Sequence, residues 1–359
     1  MGMATLPSLD DAQWPHLLTL LPPDLEESAR RTHALVRCRN IPDATALIRM
    51  ALAYAVSDLS LKDVAAWARS QRLAEITGPG LFYRLREAEV WLQELLAKTL
   101  AGDVRCGPAG LRLRIVDATV LNGPGAVGTE WRAHVMVDPA TGKFLSVELT
   151  NASGGERLAR YPFTAGDIVL GDRAYATARG LEAIKAAQAD VVVRLNPHTL
   201  RLCSMTRQRI QILEEAIPPI GEKTFDLLVP IPPEGWKHGK SKSHKPWPLG
   251  KAKDWISVRV VAARTRPGHV IWILTTLPAS ALSAVQILEL YRLRWQIELL
   301  FKRLKSLLHL DTLPSRQGPT ARSWMLARFL AAALAQKLLD PSGALSPWGY
   351  EVGRIRIHP

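Results

Sequence analysis

LRLRIVDAT, residues 111–119, is the stretch that reveals a β-sheet in this chain. Apolar side chains at Leu111, Leu113 and Ile115 alternate with arginines, and a period of two is typical of a strand. The alternation stops where the acid appears. We therefore predict a strand that ends at Asp117, with a carboxylate as the polar residue at its end.

Strand patterns continue towards the C terminus and are interrupted by one helical pattern. The predicted elements are, in chain order, strands over 132–137, 143–150 and 167–171, a helix over 177–189 and a strand over 190–195. The turn sequence DPATG, residues 138–142, joins the first two of these strands into an antiparallel hairpin. A hairpin followed by a strand, a helix and a strand predicts a mixed α/β sheet with helices on its faces.

The first 105 residues lack this alternation and predict a helical domain. Apolar residues recur every three to four positions over 61–68 and 81–95, on either side of a Gly-Pro-Gly break at 78–80. Two helices joined by a glycine-containing turn fit a DNA-binding helix-turn-helix, in which Arg84 and Arg86 would contact DNA. A plain pair of helices is the alternative.

Residues 196–278 predict a β-rich insertion in the domain that holds this sheet, with strands over 224–231, 255–263 and 269–275. Between the first two strands lies a lysine-rich stretch that suits contacts with a DNA backbone, although a solvated loop is equally compatible. The candidate contacts in this stretch are Lys237, Lys240, Lys242 and Lys245.

Helical patterns return over 281–308 and 321–339. The predicted segments are a helical domain (1–105), the first part of the sheet domain (106–195), the insertion (196–278), the second part of the sheet domain (279–340) and a short tail (341–359).

Composition restricts the class of function. The 359 residues include 46 Lys and Arg against 33 Asp and Glu, a net charge of +13, which favours a polyanionic partner such as nucleic acid. Three widely spaced cysteines, Cys38, Cys106 and Cys203, argue against a disulfide framework and a cysteine-based zinc site. Since neither a secretory signal nor a membrane-spanning run is present, we expect a cytoplasmic protein without a membrane partner.

Chemistry-bearing residues are concentrated in YRLRWQIELLFKRLK, residues 291–305. On a continuous helix at about 100° per residue, four polar side chains fall within a stripe about 60° wide. These are Tyr291, Arg294, Glu298 and Lys305. A carboxylate can ligate a divalent metal ion, and the other three groups can hold phosphates, so the row suits phosphodiester chemistry. An amphipathic surface helix with charge pairs is the alternative.

The spacing of these four residues is similar to a known signature. Tyr-x2-Arg-x3-Glu-x6-Lys is the YREK pattern of the IS-four-like DDE transposases of bacterial insertion sequences, and residues 291–305 match it without a gap. Two upstream aspartates resemble the family's other motifs, because Asp117 heads DATVL and Asp172 lies in GDRAY. The spacings are 55 residues between the aspartates and 126 residues from Asp172 to Glu298.

This resemblance implies a fold and a site. The fold is a ribonuclease H-like mixed sheet with flanking helices, interrupted by a β-rich insertion and preceded by a helical DNA-binding domain. Asp117, Asp172 and Glu298 would be the catalytic residues and would bind two Mg²⁺ or Mn²⁺ ions. The residues implied to bind DNA phosphates near the cleaved end are Tyr291, Arg294 and Lys305.

The resemblance also implies a reaction and its partners. The reaction is cut-and-paste transposition, with nicking at the element ends, a hairpin step and strand transfer. The partners are the terminal inverted repeats and a target, both double-stranded DNA, bound by a homodimer in a bacterial nucleoid.

One tryptophan is a candidate for base recognition. Relatives with a hairpin step stack a flipped base on an aromatic residue of the insertion, and Trp272 is the candidate for that role. The number of residues from Trp272 to the following threonine and to Tyr291 differs slightly from the expected pattern. A shift of one residue along a strand reverses the face on which a side chain lies, so a core position is the alternative. Other tryptophans near the lysine-rich stretch are Trp236, Trp247 and Trp255.

Other carboxylates and other functions are open alternatives. Asp138 lies in a predicted turn, where aspartate is structurally favoured, and Asp167 precedes its strand; the weaker rivals are Glu148 and Glu156. A relative that only binds DNA and a host ribonuclease H-like nuclease are the two alternative functions.

Overall fold

The computed structural model describes eleven ranges of the chain. They are 14–57, 59–101, 111–123, 125–196, 200, 202–206, 209–212, 214–234, 255–308, 313 and 318–339. No helix within these ranges is long and apolar enough to cross a membrane.

A mixed sheet forms the centre of the molecule. The strands are β1 (Arg112–Leu121), β2 (Trp131–Val137), β3 (Phe144–Asn151), β4 (Asp167–Gly171), β5 (Asp190–Arg194), β6 (Leu202–Cys203), β7 (Arg209–Ile210), β8 (Phe225–Ile231), β9 (Ile256–Arg266) and β10 (His269–Thr275). Eight of them form one sheet in the order β3-β2-β1-β4-β5-β10-β9-β8, and β6 pairs with β7. The β1–β4 and β4–β5 pairs are parallel and the others are antiparallel.

The strand predictions are confirmed, with one correction at β1. Asp117 does not end this strand, because β1 continues to Leu121 and pairs with β2 throughout. Pairing with β2 therefore continues β1 beyond Asp117 to Leu121. The β-rich character of 196–278 is also present, but its long strands β8–β10 extend the same sheet as β1–β5.

Ten helices surround the sheet in the described ranges. They are α1 (Trp14–Thr19), α2 (Leu25–Arg31), α3 (Ala44–Val56), α4 (Leu61–Ser70), α5 (Gly78–Glu87), α6 (Glu89–Leu100), α7 (Ala178–Ala186), α8 (Ala284–Arg292), α9 (Trp295–Leu308) and α10 (Gly318–Leu339). The N termini of α3, α4 and α5 are capped by Asp43, Ser60 and Thr77, whose side chains accept main-chain N–H bonds.

The two faces of the sheet have separate cores. Leu113, Ile115 and Leu170 point to a core shared with α1–α6 and α8–α10, and we call this side the helical face. Val116 and Val169 point the other way, to a core shared with α7, and we call that side the α7 face. This alternation follows from the two-residue period of a strand. The helices of the first hundred residues thus share their core with the sheet.

The predicted single helix over 281–308 is wrong, because it is two helices. α8 ends at Arg292 and α9 begins at Trp295. At the break the amide of Arg294 donates to the carbonyl of Tyr291 at 3.1 Å, which is a tight three-residue turn. The sequence between 290 and 297 contains neither proline nor glycine. The cause is tertiary packing, since α8 packs against β5, β9 and β10 whereas α9 packs against β1.

Candidate active site

Asp117 and Asp172 lie just beyond the point where the pairing of the adjacent parallel strands β1 and β4 ends. The last pair between β1 and β4 is Ile115 with Leu170. Asp117 comes two residues after Ile115, and Asp172 comes two residues after Leu170. By the two-residue period Asp117 lies on the helical face. Asp172 starts a 3₁₀ turn, and its Oδ1 accepts the N–H of Ala174 at 2.8 Å.

The pKa of Asp117 reflects burial and the negative charge of its neighbour. Burial raises the pKa of Asp117 to about 7. The N–H of Ala118, 2.8 Å from Oδ1, acts in the opposite direction, while the charge of Asp172 raises the pKa further. Perturbed carboxylates of this kind are common where a protein binds cations or moves protons.

Arg294 connects the aspartate pair with the break between α8 and α9. Its Nη2 donates to Oε1 of Glu298 at 2.5 Å, one helical turn further on. Its guanidinium carbon lies 5.8 Å from the centroid of the Tyr291 ring, and its charge lowers the pKa of Asp117. Burial raises the pKa of the Tyr291 phenol, and Arg294 and Arg194 oppose that shift. The structure thus brings Asp117, Asp172, Tyr291 and Arg294 together.

Glu298 is tied to this group through Arg294. Its side chain is 57% exposed. Among the residues that the structure describes, no three His, Cys, Asp or Glu side chains are arranged to hold a metal ion. Asp117 and Asp172 are hard oxygen donors with uncompensated charge, so they fit Mg²⁺ or Mn²⁺. Glu298 would have to exchange Arg294 for the metal ion to complete such a set.

The other predicted DNA contacts are dispersed. Lys305 lies in α9, two helical turns after Glu298. Arg84 pairs with Glu87 at 2.9 Å on α5, and the guanidinium of Arg86 lies 5.0 Å from the ring centroid of the exposed Tyr83. The lysine-rich candidates and two of the alternative tryptophans lie outside the described residues; they are Lys237, Lys240, Lys242, Lys245, Trp236 and Trp247.

The stacking role predicted for Trp272 has no support in this structure. Trp272 is 6% exposed and lies in the core of the α7 face, edge-on to Phe225. That face is opposite to the one that bears Asp117, so the ring offers no surface to a base. Trp255 is likewise buried.

The rival acids have structural partners. Asp138 accepts the N–H of Ala140 in the β2–β3 turn, as a turn aspartate should. Asp167 is 2% exposed and forms ion pairs with Arg112 and Arg114. Glu148 pairs with Arg160 at 2.7 Å.

Two residues of the site were not singled out as contributors by the sequence patterns. Glu156 is half-buried, and its charge raises the pKa of Asp117, while burial and the charge of Asp172 raise its own. Arg194 ends β5 beside Asp172 and is exposed, and its charge acts on Tyr291. A basic residue at the end of a central parallel strand was the available signal for Arg194. Glu156 was named from the sequence only as a weaker rival carboxylate, because it lies in a loop and follows no strand.

Comparison with known proteins decides the family. The family model of the transposase DDE domain matches residues 108–334. This range contains both aspartates and the YREK segment. The chain belongs to the DDE transposase family. Family membership identifies this chain as a DNA transposase, an enzyme that cuts and joins DNA and depends on a divalent metal ion.

Full-length relatives support the same family. The transposase of insertion sequence element IS421 from Escherichia coli is 37% identical over 345 residues, covering 89% of this chain and 92% of that one. InsL, the transposase assigned to element IS186A of Escherichia coli strain K12, is 38% identical over 344 residues with the same coverage. Among solved structures, a piggyBac transposase synaptic complex with hairpin DNA aligns at a TM-score of 0.46 and 11% identity, over 81% of this chain and 64% of that one.

Proposed function

We propose that this transposase uses Asp117, Asp172 and Glu298 to bind two Mg²⁺ or Mn²⁺ ions and to cut the ends of an insertion sequence. The observation that carries the proposal is the meeting of the two aspartates where the β1–β4 pairing ends, with Arg294 joining them to Glu298. The order of the first five strands, β3-β2-β1-β4-β5 with only β1, β4 and β5 parallel, supports the ribonuclease H-like assignment.

The residues around the aspartates have distinct roles in this proposal. Divalent ions bound by the carboxylates would stabilise the attacking and leaving oxygens of an in-line displacement. Arg294 carries five N–H donors, and a DNA phosphate that replaces Glu298 as its partner frees that carboxylate for metal binding. Tyr291 orients the same phosphate through its hydroxyl, and Arg194 and Lys305 add positive charge along the DNA.

The proposed reaction has two stages. Water attacks a phosphate at the element end, the bond from phosphorus to the 3′ oxygen breaks, and a 3′-hydroxyl is released. In the second stage that hydroxyl attacks a phosphate of the opposite strand, which forms a hairpin and releases the flanking 3′ oxygen as a hydroxyl. A second water then opens the hairpin and frees the 3′-hydroxyl of the element again. This hydroxyl attacks a phosphate of target DNA, and a 3′ oxygen of the target leaves as a hydroxyl. Each bond formed therefore replaces one bond broken.

The DNA partners are proposed from charge and exposure. The net charge of +13 supports binding to terminal inverted repeats and target DNA. The exposed Arg86 and the half-buried Arg84 on α5 are proposed to contact the repeats, and the lysine-rich stretch around Lys237–Lys245 to contact the backbone. A homodimer that holds two element ends completes the proposal.

The test is a cleavage assay on the DNA that flanks this gene, with Mg²⁺ or Mn²⁺. Asp172→Ala and Glu298→Gln should keep DNA binding but lose cleavage by at least about 100-fold, because even partners of metal ligands contribute about 10–100-fold. Glu289→Gln is the matched control, since it makes the same change at an exposed position of α8. It should cleave like the unmodified protein.

Each other outcome rejects part of the proposal. Full cleavage by Glu298→Gln would remove that residue from the site. Binding to the ends without a cut in either metal would identify a DNA-binding relative that has lost catalysis. Metal-dependent cutting of any DNA, without preference for the element boundary, would identify a nuclease.

A further inference from the structure

Two buried tyrosines lie beneath the aspartate pair, in the core of the α7 face. Tyr175 is fully buried and Tyr161 is 6% exposed. Their hydroxyl oxygens are 3.0 Å apart, and the Tyr161 hydroxyl donates to the main-chain carbonyl of Asp117 at 3.2 Å. Since a hydroxyl carries one proton, Tyr175 must donate to Tyr161. The two side chains form a directed chain of hydrogen bonds that ends on Asp117.

The carbonyl of Asp117 lies where the sheet opens. The β1–β4 ladder ends at the pair Ile115–Leu170, whereas β1 continues to Leu121. Beyond Ile115 no residue of β4 is paired with β1. A buried carbonyl without a donor is destabilising, and the hydroxyl of Tyr161 supplies a donor to this one.

The other end of the chain is anchored at Asp172. Tyr175 is the third residue after Asp172, and its amide donates to the Asp172 carbonyl at 3.4 Å. Its ring lies against the end of β4, where a Cβ added to Gly171 would come 3.0 Å from the ring Cδ2. The position of the Tyr175 ring is thus coupled to the end of β4 as well as to the turn that bears Asp172.

We propose that the Tyr175–Tyr161 hydroxyl chain is a positioning device that holds the main chain of Asp117 at a set distance from that of Asp172. This inference rests on the proposed function, in which the two carboxylates share divalent metal ions. Such sites tolerate errors of only about 0.5 Å. Neither tyrosine contacts the reacting atoms in this scheme, so both are positioning residues.

The hydroxyl chain persists over the working pH range of the enzyme. Burial raises the pKa of Tyr161 and of Tyr175, so both phenols keep their protons. Removal of either hydroxyl therefore breaks the chain without changing the charge of the site. Phenylalanine keeps the ring that fills the core and removes only the donor.

The experiment compares Tyr161→Phe, Tyr175→Phe and the double variant with Tyr54→Phe, the matched control. Tyr54 is a buried tyrosine of α3, among the N-terminal helices. For each full-length variant, the readouts are the Mg²⁺ concentration for half-maximal end cleavage, the Kd for end DNA without metal, the Mn²⁺ affinity by electron paramagnetic resonance and the thermal midpoint.

Tyr161→Phe should raise the half-maximal Mg²⁺ concentration and the Mn²⁺ dissociation constant by about 10-fold, which is typical of partners of metal ligands. Tyr175→Phe should change both in the same direction. The double variant should equal Tyr161→Phe, because residues of one network are not additive. The Kd for end DNA should stay unchanged, and Tyr54→Phe should leave both metal readouts unchanged.

Unchanged metal dependence in both single variants would overturn the inference, as would an equal shift in Tyr54→Phe. The Mn²⁺ affinity keeps this result separate from the proposed function. If the unmodified protein binds Mn²⁺ without cleaving DNA, the proposed function fails, and the tyrosine variants still show whether the chain positions the aspartates.

Discussion

At the scale of the residue, the fold destabilises the charged form of a carboxylate in the candidate site. Asp117 is largely buried next to Asp172 and Glu156, and its pKa is raised to about 7. Arg294 offsets only part of this charge because its guanidinium also bonds to Glu298. Such local cost is common at catalytic sites. Replacement of the acid by its neutral isostere should therefore stabilise the metal-free protein.

Asp117→Asn should raise the free energy of unfolding at pH 8 by about 1–3 kcal/mol. The folded pKa of about 7 lies above the reference value of 3.8, so the folded state binds more protons between these values. The stability of the unmodified protein therefore falls as pH rises from about 4 to about 7, and this contribution is constant above pH 7. Denaturant unfolding at several pH values, without divalent metal, measures the difference.

The control for this prediction is Glu289→Gln, an exposed change on α8. The difference in free energy of unfolding between Glu289→Gln and the unmodified protein should not change between pH 5 and pH 8. A stability gain for Asp117→Asn that does not grow between pH 5 and pH 7 would contradict the assigned pKa.

At the scale of the element, the break between α8 and α9 organises the site. It lets α8 lie on β5, β9 and β10 while α9 lies on β1, and it places Arg294 at the bend. On a continuous helix the same residues would form one straight row along a single stretch of sheet. Arg294 contacts Tyr291 before the break and Glu298 after it, so the break changes the part of the sheet that each of these neighbours faces.

Arg294→Ala should weaken binding to end DNA and reduce the slope of log K against log salt by about one unit, the value for one lost phosphate contact. Arg292→Ala removes the same charge from an exposed position of α8 and serves as the control. Titrations of both variants at several salt concentrations measure the slopes. An unchanged slope for Arg294→Ala, or an equal change in the control, would argue against a phosphate contact at the bend.

At the scale of the whole molecule, α10 joins the N-terminal helices to the sheet. Ser323 donates to the carbonyl of Leu85 in α5 at 2.5 Å, and Gln336 donates to the carbonyl of Gly142 in the β2–β3 turn at 3.0 Å. Phe329 lies between these two residues of α10 and is fully buried. Its ring packs edge-on against that of Phe144 in β3, with 6.0 Å between the ring centroids. One core thus spans the helices of the first hundred residues and the helical face.

Phe329→Ala should reduce the stability of both regions together, by about 3–5 kcal/mol. Hydrogen exchange should show an equal loss of protection in α3 and in β4, since both depend on the same core. Leu338→Ala, at an exposed position of the same helix, should change neither. Loss of protection in β4 with α3 unaffected would show that the N-terminal helices fold independently.

Local sequence patterns were sufficient to predict much of the fold and to name most residues of the candidate site. The turn at 138–142 and the strand before Asp172 follow from turn chemistry and from the alternation of apolar residues. The YREK spacing singled out Tyr291, Arg294 and Glu298, and the structure joins these three by contact. Each of these signals depends on residues that are close in the chain, so each is readable without the fold.

Other features depend on contacts between distant segments, and only the tertiary structure decided them. The break before α9 is not marked by a proline or glycine in the sequence. It results from the packing of α8 and α9 on different parts of the sheet. Trp272 is buried because its side of β10 belongs to the α7 face, where it joins that core. The hydrogen bond from Tyr161 to Asp117 joins residues 44 positions apart. Local periodicity carries no information on such pairings, since long-range packing selects them once the strands have assembled.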